Sequence, residues 1–181
     1  MEAPDRRVRR TRDALHRALI ELMMQRAYDR ITVSDVIARA DVGRSTFYAH
    51  YRDKDELLVL SCAEHLRKEI ARSADRGPWA PTRVMFDLAA RYPEVYRPLV
   101  GPKASVTALR GYRHSVATIL REHFAGQPGL LGDELTVTTV SWALVGLLTA
   151  VADPADPVSP EAARRHFEAT FTDAVIHSRK D

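Results

Sequence analysis

Hydroxyl, aromatic and basic side chains are concentrated between Asp41 and Leu58, in the stretch DVGRSTFYAHYRDKDELL. An arginine such as Arg44 forms paired hydrogen bonds with guanine, and the methyl group of Thr46 fits against a thymine methyl. Tyr48 and His50 carry polar tips that suit phosphate oxygens. The stretch therefore indicates a surface for reading DNA, provided that the surrounding elements place these side chains on one face.

A pair of short helices is predicted to position them. Thr32 begins the segment TVSD, whose hydroxyl and acid have the capping-box spacing, and a short helix follows as far as Ala40. In the turn DVG, Asp41 tolerates a left-handed backbone and Gly43 can cap the next helix. That helix is expected at about Arg44–His50, and the arrangement is a helix-turn-helix.

The second helix has one face for packing and another for contact. Phe47 and Tyr51 are four residues apart and share the face expected to be buried. Arg44 lies in the first turn, the part of such a helix that reaches base edges. The positions that point elsewhere are Ser45, Thr46, Tyr48 and Ala49.

Phosphate donors are expected around this helix. Thr32 starts a helix whose free amides can hold an anion. Lys54 follows Asp53, the cap of a fourth helix, and a lysine there opposes the helix dipole unless a phosphate lies close by. Taken singly, each of these residues is equally well explained as ordinary surface or as part of a helix cap.

The charge distribution also favours a polyanion partner. Residues 1–54 hold 12 Lys+Arg and 8 Asp+Glu, whereas the remainder holds 15 and 16, and six arginines lie between Arg6 and Arg17. A solvated helix face is the alternative explanation for this basic first helix.

The whole chain is predicted to be all-α, because apolar residues recur at spacings of 3 and 4 and period-2 alternation is absent. The first helix is expected at Arg6–Gln25 and the fourth at about Lys54–Ser73. Later helices are predicted near 82–91, 93–100, 104–124, 133–152 and 160–178. The apolar run Leu135–Ala152 is interpreted as a buried helix rather than a membrane span, because hydroxyl residues dilute it and acids flank it. No signal peptide is recognised, and the cytoplasm is the expected compartment.

The segment YDRITVSDVIARADVGRSTFYAHYRDKDELL resembles the DNA-binding domain of TetR-type transcriptional regulators, and the resemblance extends over about Arg6–Leu60. It implies that Arg44, Ser45 and Thr46 face bases. The residues implied to face the phosphate backbone are Thr32, Tyr48, His50 and Lys54. Two positions depart from the family pattern: Asp41 replaces the usual turn glycine, and Gly43 replaces a common serine cap.

The same resemblance implies the organisation of the chain. Residues 1–60 would form a three-helix DNA-binding domain with the helix-turn-helix, and residues 61–181 a helical domain that binds a small molecule and dimerises. The implied function is a ligand-responsive repressor that binds a palindromic operator on double-stranded DNA as a homodimer. A transcriptional activator of the same fold is the alternative.

Apolar stripes near the C-terminus predict a four-helix dimer interface, although both stripes are also compatible with monomer core. The expected interface residues are Val137, Val140, Leu144, Leu147, Leu148, Val151, Phe167 and Phe171. Aromatic and sulfur-containing side chains are candidates for the lining of a ligand pocket, although such residues are more often plain core. The expected pocket residues are Met85, Phe86, Tyr92, Tyr96, Tyr112 and Trp142.

Other function classes find little support in the sequence. The seven histidines show no metal-binding spacing, and no catalytic or nucleotide-binding motif is present, so neither an enzyme nor a cofactor is predicted. Cys62 is the one cysteine and is expected to be passive packing rather than a redox sensor. A non-specific architectural DNA-binding protein and a helical adaptor with a degenerate head remain alternatives.

Overall fold

A computed structural model describes residues 3–125 and 134–176, and every regular element within these ranges is helical. The α-helices are α1 Ala3–Met23, α2 Val33–Ala40, α3 Arg44–His50, α4 Lys54–Arg72, α5 Ala80–Arg91, α6 Pro93–Val100, α7 Val106–Phe124, α8 Glu134–Val151 and α9 Pro160–Ile176. One short 3-10 helix, Tyr28–Arg30, precedes α2. The bounds predicted for α3 and α6 are confirmed, and the predicted ends at residues 133 and 177–178 lie outside the described residues.

The first three helices pack around a small apolar centre. Leu15 and Leu19 of α1 are fully buried, together with Val36 of α2 and Phe47 of α3. Val8, near the start of α1, is 40% exposed and lines surface grooves beside α3 and α4.

Helix α4 joins the first three helices to the rest of the molecule without a break. It packs against α1, α5 and α7, and its buried leucines include Leu57, Leu58 and Leu66. The predicted division at residue 60 falls inside this helix, and one continuous apolar core extends from Leu15 to Phe167.

Aromatic residues hold the C-terminal helices together. The Trp79 ring meets the Phe124 and Phe167 rings edge to face, with centroid separations of 5.5 and 5.2 Å. Its Nε1 donates a 3.1 Å hydrogen bond to Thr172 Oγ1 of α9. These contacts fix α9 against α5 and α7.

The apolar stripes expected at a dimer interface lie largely inside the protomer. Most of the predicted residues are at most 3% exposed, because these faces of α8 and α9 pack on the core: Val137, Val140, Leu144, Leu148, Val151 and Phe167. Leu147 and Phe171 are half-buried and pack at the edge of that core. The outward face of α8 consists of other residues, among them Leu135 and Trp142, which are 76% and 45% exposed.

The residues expected to line a ligand pocket also fall into a buried group and an exposed group. Met85, Phe86, Tyr96 and Tyr112 are buried, and the Tyr96 and Tyr112 rings meet edge to face. Tyr92 and Trp142 are exposed instead, and Trp142 lies beneath the Arg113 guanidinium with 5.1 Å between Cζ and the ring centroid. Only Tyr92 and Tyr96 of the predicted set border a cavity described below.

One described helix, α8, is long and apolar enough to cross a membrane by composition alone. Its inner face packs on the protein core, and 39% of the segment is buried there. We therefore interpret α8 as a core helix with one open face.

Candidate nucleic-acid interface

The turn between α2 and α3 depends on one left-handed residue. Asp41 has φ 53° and ψ 50° and is the one non-glycine residue with positive φ in the described part of the chain. Its backbone N–H donates to the carbonyls of Ile37 and Ala38, and α2 ends there. Aspartate accepts this conformation better than most residues, so its presence at the usual glycine position fits the turn.

Thr32 and Asp35 form a complete capping box at the start of α2. Asp35 N–H donates to Thr32 Oγ1 at 3.2 Å, while Asp35 Oδ2 accepts from the Thr32 backbone N–H at 2.8 Å and from the Thr32 hydroxyl at 2.7 Å. These hydrogen bonds, together with the 3.0 Å ion pair to Arg26, lower the pKa of Asp35 to about 2. Because the Thr32 hydroxyl proton is already donated, a phosphate at this terminus would be held by backbone amides.

Helix α3 separates a buried aromatic side from an open polar side. Phe47 is fully buried and Tyr51 is 4% exposed, whereas Tyr48 is 46% exposed. The Arg44 guanidinium lies over the Tyr48 ring, with Cζ 5.4 Å from the ring centroid. The other exposed positions of α3 are Arg44, Ser45 and Ala49, and Thr46 and His50 are half-buried.

Lys54 differs from the free phosphate donor that the sequence suggested. Its Nζ donates to the backbone carbonyls of Tyr28 at 2.8 Å and Ile31 at 2.7 Å, and it lies 4.2 Å from the Tyr28 ring centroid. Partial burial lowers the pKa of this amine. An ammonium group has three donors, so one remains for a phosphate while the other two fix α4 to the segment before α2.

A surface groove of about 370 Å³ runs between α1 and α3. Its α3 wall is formed by Ser45, Thr46, Ala49 and His50, and its α1 wall by Arg7, Val8 and Thr11. Sequence reasoning recognised the basic N-terminal helix but did not assign Arg7 or Thr11 to the interface. The relevant signal was the arginine run itself, which the fold places beside α3.

This arrangement has the chemistry of a DNA-reading surface. Short polar side chains and one arginine project from a helix whose underside is held by buried rings, and exposed arginines flank it on α1. Such a helix fits the major groove of B-form DNA. Among the described residues there is no group of three or more His, Cys, Asp or Glu that could hold a metal ion.

Comparison with known proteins places this site in a family. Residues 15–59 match the model for bacterial regulatory proteins of the tetR family. The chain is 45% identical over 65 residues to the uncharacterized HTH-type transcriptional regulator YxbF of Bacillus subtilis (strain 168), a match that covers 33% of this chain and 17% of YxbF. It is 38% identical over 69 residues to DhaS, the HTH-type dhaKLM operon transcriptional activator of Lactococcus lactis, which covers 38% of this chain and 37% of DhaS. The chain therefore matches well under half of the length of these relatives.

Solved structures support the fold over nearly the whole chain. A TetR transcriptional regulator from Streptococcus agalactiae superposes with a TM-score of 0.59 at 22% identity, covering 92% of this chain and 96% of that one. The dihydroxyacetone kinase operon activator DhaS superposes with a TM-score of 0.61 at 15% identity, covering 92% and 97%.

The family model, the relatives and the fold agree with one another and with the exposed face of α3. The matched family and the similar proteins are transcriptional regulators and not enzymes. The helix-turn-helix, which lies within residues 15–59, is therefore of the type found in the tetR family of bacterial regulatory proteins.

Proposed function

We propose that this protein is a homodimeric, ligand-responsive repressor that binds a palindromic operator in the cytoplasm. The observation that carries the proposal is the two-sided α3, in which Phe47 and Tyr51 are buried while Arg44, Ser45 and Tyr48 are open. Residues 1–60 would serve as the DNA-binding part and residues 61–181 as the regulatory and dimerising part.

The proposed roles follow the geometry of the site. Arg44, Ser45 and Thr46 read base edges, because they occupy the first turn of α3. Phosphates are bound by Tyr48, by His50 and by the backbone amides that follow Thr32 in the first turn of α2. The exposed Arg7 beside α3 adds a further phosphate contact. Lys54 acts mainly by holding α4 to the carbonyls that precede α2.

The homodimer is proposed to form through the outward face of α8 rather than through the stripe predicted from sequence. This face leaves Leu135 and Trp142 open to solvent, and a side chain at Gly146 would meet open space beyond the backbone of its own helix. A glycine in a helix interior is unfavourable by about 1 kcal/mol relative to alanine, so close approach of another chain is a physical reason for it. Two copies joined here would present two α3 helices to one duplex.

Selection of bound sequences from random duplexes tests the proposal. The purified protein is expected to enrich a palindrome whose half-sites lie about one helical turn apart, with two chains bound to each duplex. Equal affinity for the selected site and for shuffled DNA at the same salt concentration would contradict it and favour an architectural protein, because phosphate contacts carry no sequence information.

An activator is the second candidate, since the relative DhaS is named a transcriptional activator. Deletion of the gene distinguishes the two. Expression from a reporter carrying the selected operator is expected to rise if the protein represses and to fall if it activates.

A further inference from the structure

A cavity of about 220 Å³ lies where the DNA-binding helices meet the regulatory helices. His16 and Ile20 of α1 form one wall, and Cys62 and His65 of α4 form another. The remaining wall consists of Leu88, Tyr92, Val95 and Tyr96. This cavity is bordered by both parts of the chain, so a molecule inside it touches elements on both sides of α4.

The lining determines what the cavity accepts. None of the described residues that line the cavity is a carboxylate, lysine or arginine, and most of its surface is carbon. Two imidazoles and two tyrosines supply hydrogen-bonding atoms, and the cavity is smaller than the roughly 300–1,000 Å³ of sites for drug-sized ligands. A small ring compound without charge matches this size and chemistry.

The state of the titratable groups agrees with an uncharged ligand. Burial, followed by the influence of His65, lowers the pKa of His16, which keeps this imidazole neutral. Burial raises the pKa of the Cys62 thiol to about 12, so it stays protonated and contributes apolar surface rather than a thiolate. Tyr92, 39% exposed, is the most exposed of the residues that line the cavity.

We propose that this cavity between α1, α4, α5 and α6 binds a small, neutral, mostly apolar ring compound, and that its occupation lowers the affinity for DNA. The inference rests on the proposed function, because it assigns the effector site of that regulator. Helix α1 carries both Ile20 in the cavity wall and Arg7 beside α3. A ligand that fits best when α1 and α6 are further apart therefore favours a displaced α1 and disturbs the DNA-reading surface.

Binding of 2-naphthol, with 2-naphthoate as a charged counterpart of similar size, tests the ligand class by calorimetry. The neutral probe is expected to bind at least about tenfold more tightly than the anion. Absence of naphthol binding at millimolar concentration, or equal binding of naphthoate, would overturn the class of ligand.

Two variants that add the same side chain test the location. Ile20→Trp fills the cavity and is expected to weaken naphthol binding about tenfold or more. Leu60→Trp, at a 39% exposed position outside the cavity, is expected to bind the probe as the wild type does. Equal binding by Ile20→Trp and the wild type would place the probe elsewhere. If Ile20→Trp does not fold, NMR measures contacts between the probe and the Ile20 and Val95 methyl groups of the wild type. Observed contacts would place the probe in the cavity, and their absence would place it elsewhere.

The effect on DNA is measured separately, by fluorescence anisotropy with the selected operator. Naphthol is expected to release the operator from the wild type and from Leu60→Trp but not from Ile20→Trp. Naphthol binding that leaves DNA affinity unchanged would overturn the coupling, whereas failure to bind the operator even without naphthol would overturn the proposed function and leave the ligand site standing.

Discussion

The Ser105 hydroxyl donates a 2.6 Å hydrogen bond to Oδ2 of Asp55. Ser105 caps α7, and Asp55 lies in the first turn of α4. The other oxygen of the same carboxylate accepts a 2.6 Å hydrogen bond from the Tyr28 hydroxyl. One carboxylate thus joins the start of α7 to the segment that precedes α2.

Replacing Tyr28 by Phe removes one of these hydrogen bonds without changing the ring. The free energy of unfolding is expected to fall by about 1–2 kcal/mol, because the hydroxyl donates to a carboxylate at a half-buried position. Urea denaturation followed by circular dichroism measures the loss. Tyr48→Phe is the matched control, since Tyr48 is 46% exposed and its stability contribution is expected to be negligible. Equal stability of the two variants would contradict the role of the Tyr28 hydroxyl.

Replacing Lys54 by Met tests whether this amine is chiefly structural. The carbonyls of Tyr28 and Ile31 would lose their donor, and the free energy of unfolding is expected to fall by about 1–3 kcal/mol. Lys68→Met is the control, because Lys68 forms only a surface ion pair with Glu64 and its loss is expected to cost less than about 1 kcal/mol. Unchanged stability of Lys54→Met, with a salt slope of DNA binding lowered by about one, would show a free phosphate ligand instead.

Replacing Arg44 by Ala is expected to weaken operator binding by roughly 1–3 kcal/mol and to relax the preference at particular base pairs. Competition with operators changed at single positions measures both effects. Arg17→Ala, on the exposed surface of α1, is the control and is expected to leave the order of preference among operators unchanged. A uniform loss across all operators would assign Arg44 to phosphate rather than to a base.

Replacing Gly146 by Leu tests the proposed dimer face. The added side chain meets open space in the protomer, so the fold is expected to persist while the dimer dissociates. Sedimentation equilibrium gives the mass, and circular dichroism reports the fold. Ala90→Leu, at an exposed position of α5, adds the same side chain on another surface and is expected to remain dimeric. A Gly146→Leu dimer as tight as the wild type would exclude this face.

The Asp35 carboxylate makes stability depend on acid pH. Its pKa is about 2 in the folded chain, below the ordinary value of 3.8, so the stabilisation is complete above pH 3.8 and is lost as the pH falls towards 2. Asp35→Asn is expected to lose less stability than the wild type over this interval, measured by thermal unfolding at a series of pH values. Parallel loss in both proteins would mean that other carboxylates are responsible.

Local chemistry was predictable from the sequence. The capping box at Thr32, the turn at Asp41 and the buried underside of α3 all depend on residues within four positions of one another, and the structure confirms each of them. Proline at the start of α6 and the apolar spacing likewise gave its bounds correctly.

Contacts between distant segments were not predictable. Helix α8 carries apolar residues on both faces, so its pattern could not reveal that Val140 and Leu144 turn inward while Leu135 and Trp142 turn outward. The partners of Lys54 lie 23 and 26 residues away, and nothing in their sequence marks two carbonyls as acceptors. The cavity was missed for the same reason, because its walls come from four separate helices and the residue that follows α5.

The unbroken course of α4 sets a rule for engineering. A chimeric protein that joined residues 1–60 to the C-terminal helices of another regulator would interrupt α4 in its middle. The junction would separate Leu57 and Leu58 from Leu66, although all three lie in one core. A functional exchange would have to carry α4 whole, together with the matching surface of α7 that supplies Ser105. The segment that can be exchanged as a unit therefore ends at Arg72, where α4 ends, and not at residue 59, where the family match ends.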